Sequence, residues 1–200
     1  MTTPKYVSTL DAARLIDQPK RRTWYGRRDR LAMMLMLRCG LRVSECYKLR
    51  RCEVRDSGHM MTLQVRRGKA TMGSTKKGGK KTVRPRDIPV PGDVVEALRS
   101  WLANDLPTDS VLLLPTRAGR QVHRVDAYKM IHKYAKAAGI DAVHPHMLRH
   151  TFASSALDDG FTLAEVGHLL GHATLRSTSV YLHPNPDKLA LKMKEWNRGN

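Results

Sequence analysis

The run "LAMMLML", residues 31–37, is seven apolar residues in a row set between Arg30 and Arg38. Wound as a helix it has no polar side, so every face must be covered by protein. A membrane cannot hide it instead, because a spanning helix needs ~20 such residues. The run is expected to form a buried helix that Gly40 ends in a left-handed conformation. A chain of 200 residues that is 41% hydrophobic supplies one core of this kind and too little for two. The domain is set at residues 9–183, with 1–8 a short lead-in and 184–200 a tail that opens at Pro184 and Pro186. In the tail, Leu189, Met193 and Trp196 fall at helical spacing and are expected to dock on this domain or on a neighbouring protomer.

The formal charge is +18 and the isoelectric point about 10.3. So basic a surface attracts polyanions, with nucleic acid ahead of an anionic membrane as partner. The N-terminus lacks the apolar core of a signal peptide, and the chain reads as cytoplasmic. Three cysteines, Cys39, Cys46 and Cys52, form no C-x-x-C pair and leave an odd number. They read as buried thiols, not as a disulfide framework or a zinc knuckle.

Along the chain, "TLDAARLI" starts a small amphipathic helix with Thr9 as its N-cap. The linker "PKRRTWYGRRDR" carries Lys20, Arg21, Arg22, Arg27, Arg28 and Arg30 around Trp24 and Tyr25, which suits phosphate contact and equally suits a solvated turn. After Gly40 a second helix has Val43, Cys46 and Leu49 on one face, and Arg42 lies in the joint, where two helices can hold it. The period then changes to two. "MTLQV" and "TVRPRDIPV" read as strands of a long hairpin joined by "GKATMGSTKKGGKK". From Arg66 to Arg86 there are nine basic residues (Arg66, Arg67, Lys69, Lys76, Lys77, Lys80, Lys81, Arg84 and Arg86) and no acidic one, a density that suits a phosphate backbone. The remainder is helical, with apolar stripes at Val94, Val95, Leu98, Trp101 and Leu102, and at Val125, Tyr128, Ile131, Tyr134, Ala135 and Ala138. The fold class is mainly α with a small antiparallel sheet.

The chemistry concentrates late in the chain. In "HPHMLRHTFASS", residues 144–155, Pro145 opens a helix that Gly160 ends, and His146 and Arg149, three residues apart, are expected to project from the same face near its N-terminus, where the helix dipole also favours an anion. His146 and His150 have the spacing of a zinc pair. They lack the adjacent glutamate and a third ligand, and Arg149 would repel the cation, so no metal is expected. Thr162 and Glu165 form a capping box for a helix up to Leu170. "LLGHATLRSTSVYLH" then places His172 nine residues before Tyr181.

The pieces "GLRVSE" (40–45), "LQVRRGK" (63–69) with a basic strand ending "DIPV", "HMLRHTFAS" (146–154), "LLGH" (169–172) and "TSVYLH" (178–183) resemble, in order and spacing, the catalytic domain of the tyrosine recombinase (phage integrase) superfamily. The resemblance runs from about residue 7 to about residue 190. It implies that Arg42 is the first catalytic arginine, Glu45 the acid that steadies it, and Lys69 the hairpin lysine. His146 and Arg149 match the H-x-x-R pair, His172 the last phosphate-binding histidine and Tyr181 the nucleophile. DNA-contacting residues are expected at Arg66, Arg67, Lys76, Lys77, Lys80, Lys81 and Arg84.

Phosphodiester exchange needs donors for the charge that builds on the non-bridging oxygens, and two arginines with a histidine supply them. A phenol of pKa near ~10 needs positive charge and a proton acceptor, for which His146 is the candidate. Lys69 can protonate the leaving 5′ oxygen.

The resemblance thus implies a site-specific DNA recombinase or integrase, from a prokaryotic cell or a mobile element, that works through a covalent 3′-phosphotyrosine. It would act on double-stranded DNA as a tetramer, with no cofactor. "ATMGSTKKGG" is inserted relative to the family's hairpin, so Lys76 or Lys77 stands beside Lys69 as the candidate acid. The separate N-terminal DNA-binding domain of many members is absent, which leaves a minimal recombinase or a fragment. Two alternatives remain: relaxation of DNA in the manner of a type IB topoisomerase, and a non-catalytic DNA-binding protein on the same scaffold.

Overall fold

A computed structural model describes residues 6–66, 85–140 and 142–172. Within them the elements run α1 (Thr9–Asp17), α2 (Trp24–Arg38), α3 (Val43–Cys46), a 3-10 turn (Arg51–Glu53), β1 (Val54–Asp56), β2 (Met61–Val65), β3 (Arg86–Pro89), α4 (Gly92–Asn104), α5 (Arg124–Ala137), α6 (Pro145–Asp158) and α7 (Leu163–Leu170). The described residues are mainly helical with one small antiparallel sheet, as the change of period predicts. Among the described residues, no helix is long and apolar enough to cross a membrane.

Helix α2 is the axis. Leu31 through Leu37 are all buried, and the helix packs against α1, α3, α4 and α6, so the all-round apolar run is covered on every side. Gly40 follows the helix at φ +63, and a Cβ there would collide with the ring of Phe152 on α6. The residue has to be glycine for its backbone angle and for the closeness of α6. On the other side Trp101 of α4 is 2% exposed and donates its indole N–H to the carbonyl of Leu113 at 2.8 Å.

The sheet runs β1-β2-β3, with Val54 opposite Leu63, Leu63 opposite Ile88, and Val65 opposite Arg86. Along β3 burial alternates, with Arg86 and Ile88 facing inward and Asp87 and Pro89 facing outward. The edge strand β1, "VRD", was not expected, because three residues with two charges show no alternation of their own.

Several local expectations are corrected. The N-cap of α1 is Ser8, not Thr9: its hydroxyl accepts from the Asp11 N–H at 3.1 Å. The basic linker ends earlier than expected, since Thr23 caps α2 and Trp24 is already helical. Two of its arginines fit neither expected reading. Arg27 grips Asp105 with Nε at 2.7 Å and Nη2 at 2.5 Å, while Arg28 is buried against Asp29, with its guanidinium over the rings of Trp24 and Tyr25. They tie α2 to the turn after α4 and to Pro115. Helix α3 stops at Cys46, so Leu49 is buried beyond its end. On α5 the inward stripe begins at Ala127, and Val125 is exposed. Cys39 and Cys46 are buried, whereas Cys52 is exposed.

Candidate active site

The site is built around one carboxylate. Arg42 is the N-cap of α3, and Glu45, one turn on, accepts the Arg42 backbone N–H at 2.9 Å. Glu45 is only 2% exposed, yet it takes guanidinium groups from three elements. Oε1 accepts from Arg42 Nη1 at 2.9 Å and Arg86 Nη1 at 3.2 Å; Oε2 accepts from Arg86 Nη2 at 2.8 Å and lies 3.7 Å from Arg149 Nη1. Burial alone would push the Glu45 carboxyl up. The hydrogen bonds and charge of Arg86, the Arg42 N–H and the charge of Arg149 outweigh it and hold the group below the usual carboxylate range.

The second anchor is the C-terminal end of α7. The last carbonyls of a helix have no partner within it and carry the negative end of its dipole. Here Leu169 O accepts from Arg86 Nε at 2.7 Å, and Leu170 O accepts from Arg149 Nη2 at 2.6 Å and Arg42 Nη1 at 3.4 Å. Thus Arg42 and Arg149 meet on one oxygen. Arg149 also donates to Gly40 O at 2.6 Å, which joins α6 to the turn after α2. Helix α7 starts at the expected Thr162–Glu165 capping box and ends at Gly171 in the left-handed conformation, φ +64. A Cβ on Gly171 would lie 2.7 Å from Arg86 Nη1, so "LLGH" needs its glycine for backbone angle and for space.

His172 follows directly, with Nε2 3.2 Å from Arg149 Nη2. A guanidinium can only donate, so Nε2 is the acceptor and the ring's proton is on Nδ1. Desolvation first, then the charges of Arg149, Arg42 and Arg86, push His172 from 6.5 down to about 4, against the pull of Glu45. The ring is therefore neutral at pH 7. Between pH 6.5 and about 4 the unfolded chain binds a proton that the folded one refuses, so His172 makes stability fall as pH falls through that window. NMR titration of the ring is expected to give a midpoint near 4 in the free protein and a higher one when inorganic phosphate or DNA is bound; a free-protein midpoint near 6.5 would contradict the arginine contact.

His146 and Arg149 do not share a surface, as the helical spacing had suggested. His146 is exposed on the first turn of α6, whereas Arg149 is 4% exposed and its length carries the guanidinium inward to α2 and α7. The two remain neighbours electrostatically. Desolvation, His144 and the charges of Arg149, Arg124 and Arg42 lower the His146 pKa, which leaves a neutral imidazole able to accept a proton at pH 7. Thus Arg42, Glu45, Arg149 and His172 are brought together, with His146 within reach of the same field. Arg66 is exposed past the end of β2 and donates to Gln64 at 2.8 Å. Arg67, Lys69, Lys76, Lys77, Lys80, Lys81, Arg84 and Tyr181 lie outside the described residues.

Arg86 is the residue that the sequence reading misplaced. It closes the basic run whose density suits a phosphate backbone, but it is buried, bonded to Glu45 and Leu169. The signal was there: two residues before the apolar Ile88, it falls on the inward face of a period-two strand.

A mainly helical domain with one small antiparallel sheet is the fold of tyrosine recombinase catalytic domains. The chain belongs to the phage integrase family, whose model matches residues 5–188. It is 32% identical over 189 residues to the tyrosine recombinase XerC of Thermodesulfovibrio yellowstonii, covering 90% of this chain and 58% of that protein. The crystal structure of XerA recombinase superimposes with a TM-score of 0.77 at 27% identity, over 98% of this chain and 66% of that one. XerH site-specific recombinase, solved bound to a palindromic difH substrate in a post-cleavage complex, shares the fold with a TM-score of 0.76 at 22% identity, over 97% of this chain and 53% of that one.

Proposed function

We propose that this chain is the catalytic part of a site-specific DNA recombinase that cuts and rejoins strands through Tyr181. The observation that carries the reading is the convergence of Arg42 and Arg149 on the Leu170 carbonyl, with neutral His172 against Arg149. Two guanidiniums held this close form a rigid cradle for the non-bridging oxygens of one phosphate, and the stabilisation they give is greatest when the phosphorus is five-coordinate and those oxygens carry most negative charge. The Nδ1–H of His172 is a further donor.

In the forward step the Tyr181 hydroxyl oxygen bonds to phosphorus and its proton passes to His146. The bond from phosphorus to the 5′ oxygen breaks, and Lys69, with Lys76 or Lys77 as the alternative, gives that oxygen a proton. The 3′-phosphotyrosine keeps the energy of the broken ester, so the reverse step joins a new 5′ end without ATP. Arg66, Arg67, Lys76, Lys77, Lys80, Lys81 and Arg84 hold the duplex by its phosphates. Four protomers on two duplexes in the cytoplasm complete the proposal.

The test is covalent trapping. Protein incubated with nicked suicide duplexes taken from the DNA flanking its own gene is expected to leave a denaturant-resistant adduct. Clear binding in a gel shift with no adduct would sink the reading.

A further inference from the structure

The guanidinium of Arg86, with 2% of its side chain exposed, is taken up by Glu45 and Leu169 O, and so contacts both features that orient the site's other arginines. Its two Nη atoms fork onto the two oxygens of Glu45, and its Nε bonds Leu169 O, one residue before the carbonyl on which Arg42 and Arg149 meet. Gly171 closes over the same guanidinium, with no room for a Cβ. Arg86 also belongs to β3, which pairs with β2, the strand that leads into Lys69. We infer that Arg86 is a positioning residue, a planar brace that fixes Glu45 relative to the end of α7 so that Arg42 and Arg149 meet the phosphate in one arrangement. The inference rests on the recombinase reading above.

The groups around Glu45 say what its loss does. Facing the carboxylate are Arg42 from α3, Arg86 from β3, Arg149 from α6, His172 after α7, and the Cys46 thiol, which burial keeps neutral. Without Arg86, its hydrogen bonds and charge no longer oppose the desolvation of Glu45, and the carboxyl pKa rises. The nearest replacement donor is Arg149 Nη1, now 3.7 Å away, and closing that gap pulls it off Gly40 O. A displacement of this size in a group that must meet a phosphate costs on the order of 10²-fold in rate.

Arg86→Gln and Arg86→Lys separate positioning from folding. Single-turnover cleavage of the nicked duplex is measured across pH, with affinity from gel shifts. Arg86→Gln is expected to bind DNA as the wild type does and to cleave about 10²-fold more slowly, with the deficit widening as pH falls and Glu45 takes a proton. Arg86→Lys keeps the charge and so is expected to regain the wild-type pH profile, but not the rate, because an ammonium cannot fork onto Glu45 and reach Leu169 O together. Either variant cleaving at the wild-type rate would overturn the inference; if Arg86→Gln does not fold, Arg86→Lys decides. Should the wild type leave no adduct at all, the recombinase reading fails and the brace is judged by NMR. The His172 midpoint, near 4 in the wild type, is expected to rise in Arg86→Gln or, where that variant is unfolded, by a smaller amount in Arg86→Lys; no movement refutes the brace.

Discussion

Tyr181→Phe is expected to bind DNA with wild-type affinity and to form no covalent adduct. On the proposed mechanism the substitution removes one oxygen and keeps the ring, so binding through Arg42, Arg149 and the basic residues between 66 and 84 is untouched while the attacking atom is gone. Loss of a nucleophile costs on the order of 10⁶-fold, which takes adduct formation below detection on a gel. The expectation is sharper than one for any arginine in the cradle, whose removal leaves a nucleophile still able to react and costs on the order of 10²- to 10³-fold. An adduct formed by Tyr181→Phe at the wild-type rate would place the nucleophile elsewhere in the chain.

Glu45→Ala is expected to cost stability before it costs chemistry. Arg86 and Arg149 are 4% exposed each, and the alanine would leave both buried without their shared carboxylate. Breaking a buried pair by removing one partner typically costs ~3–5 kcal/mol. At ~2–4 °C per kcal/mol for a domain of this size, the melting temperature falls by roughly 10 °C in a calorimetric scan. A fall of a degree or two would show that the guanidiniums find other partners. The pH dependence carries a sign: because the folded pKa of Glu45 is lowered from 4.5, its stabilisation is full above that pH and is lost only as pH falls through the lower folded value. Glu45→Ala should therefore melt with a flatter acid limb than the wild type.

What was legible in the sequence was local. The all-apolar run at 31–37, the Thr162–Glu165 capping box and Pro145 at the start of α6 are each decided by residues within a few positions, and each stands where the pattern put it. The site residues came from motif resemblance, which gave Arg42, Glu45, Arg149 and His172 but not how they are held. What could not be read has partners far along the chain: Arg27 finds Asp105 78 residues away, and Arg149 finds Gly40 109 residues away. Arg86 was hidden for another reason. A run of positive charge suggests an outward face, and that impression masked an alternation only four residues long.

Three of the acceptors that hold the guanidiniums, the carbonyls of Gly40, Leu169 and Leu170, belong to the main chain. A missense codon changes a side chain and leaves a carbonyl where it was, provided that the backbone keeps its path. The letters at 169 and 170 are thus free to drift among apolar residues of similar size while the oxygens they contribute stay in place; those at 40 and 171 are pinned, because their neighbours occupy the space of a Cβ. A distant cousin of this domain is then better recognised by its two glycines and the oxygens beside them than by the leucines spelled out between.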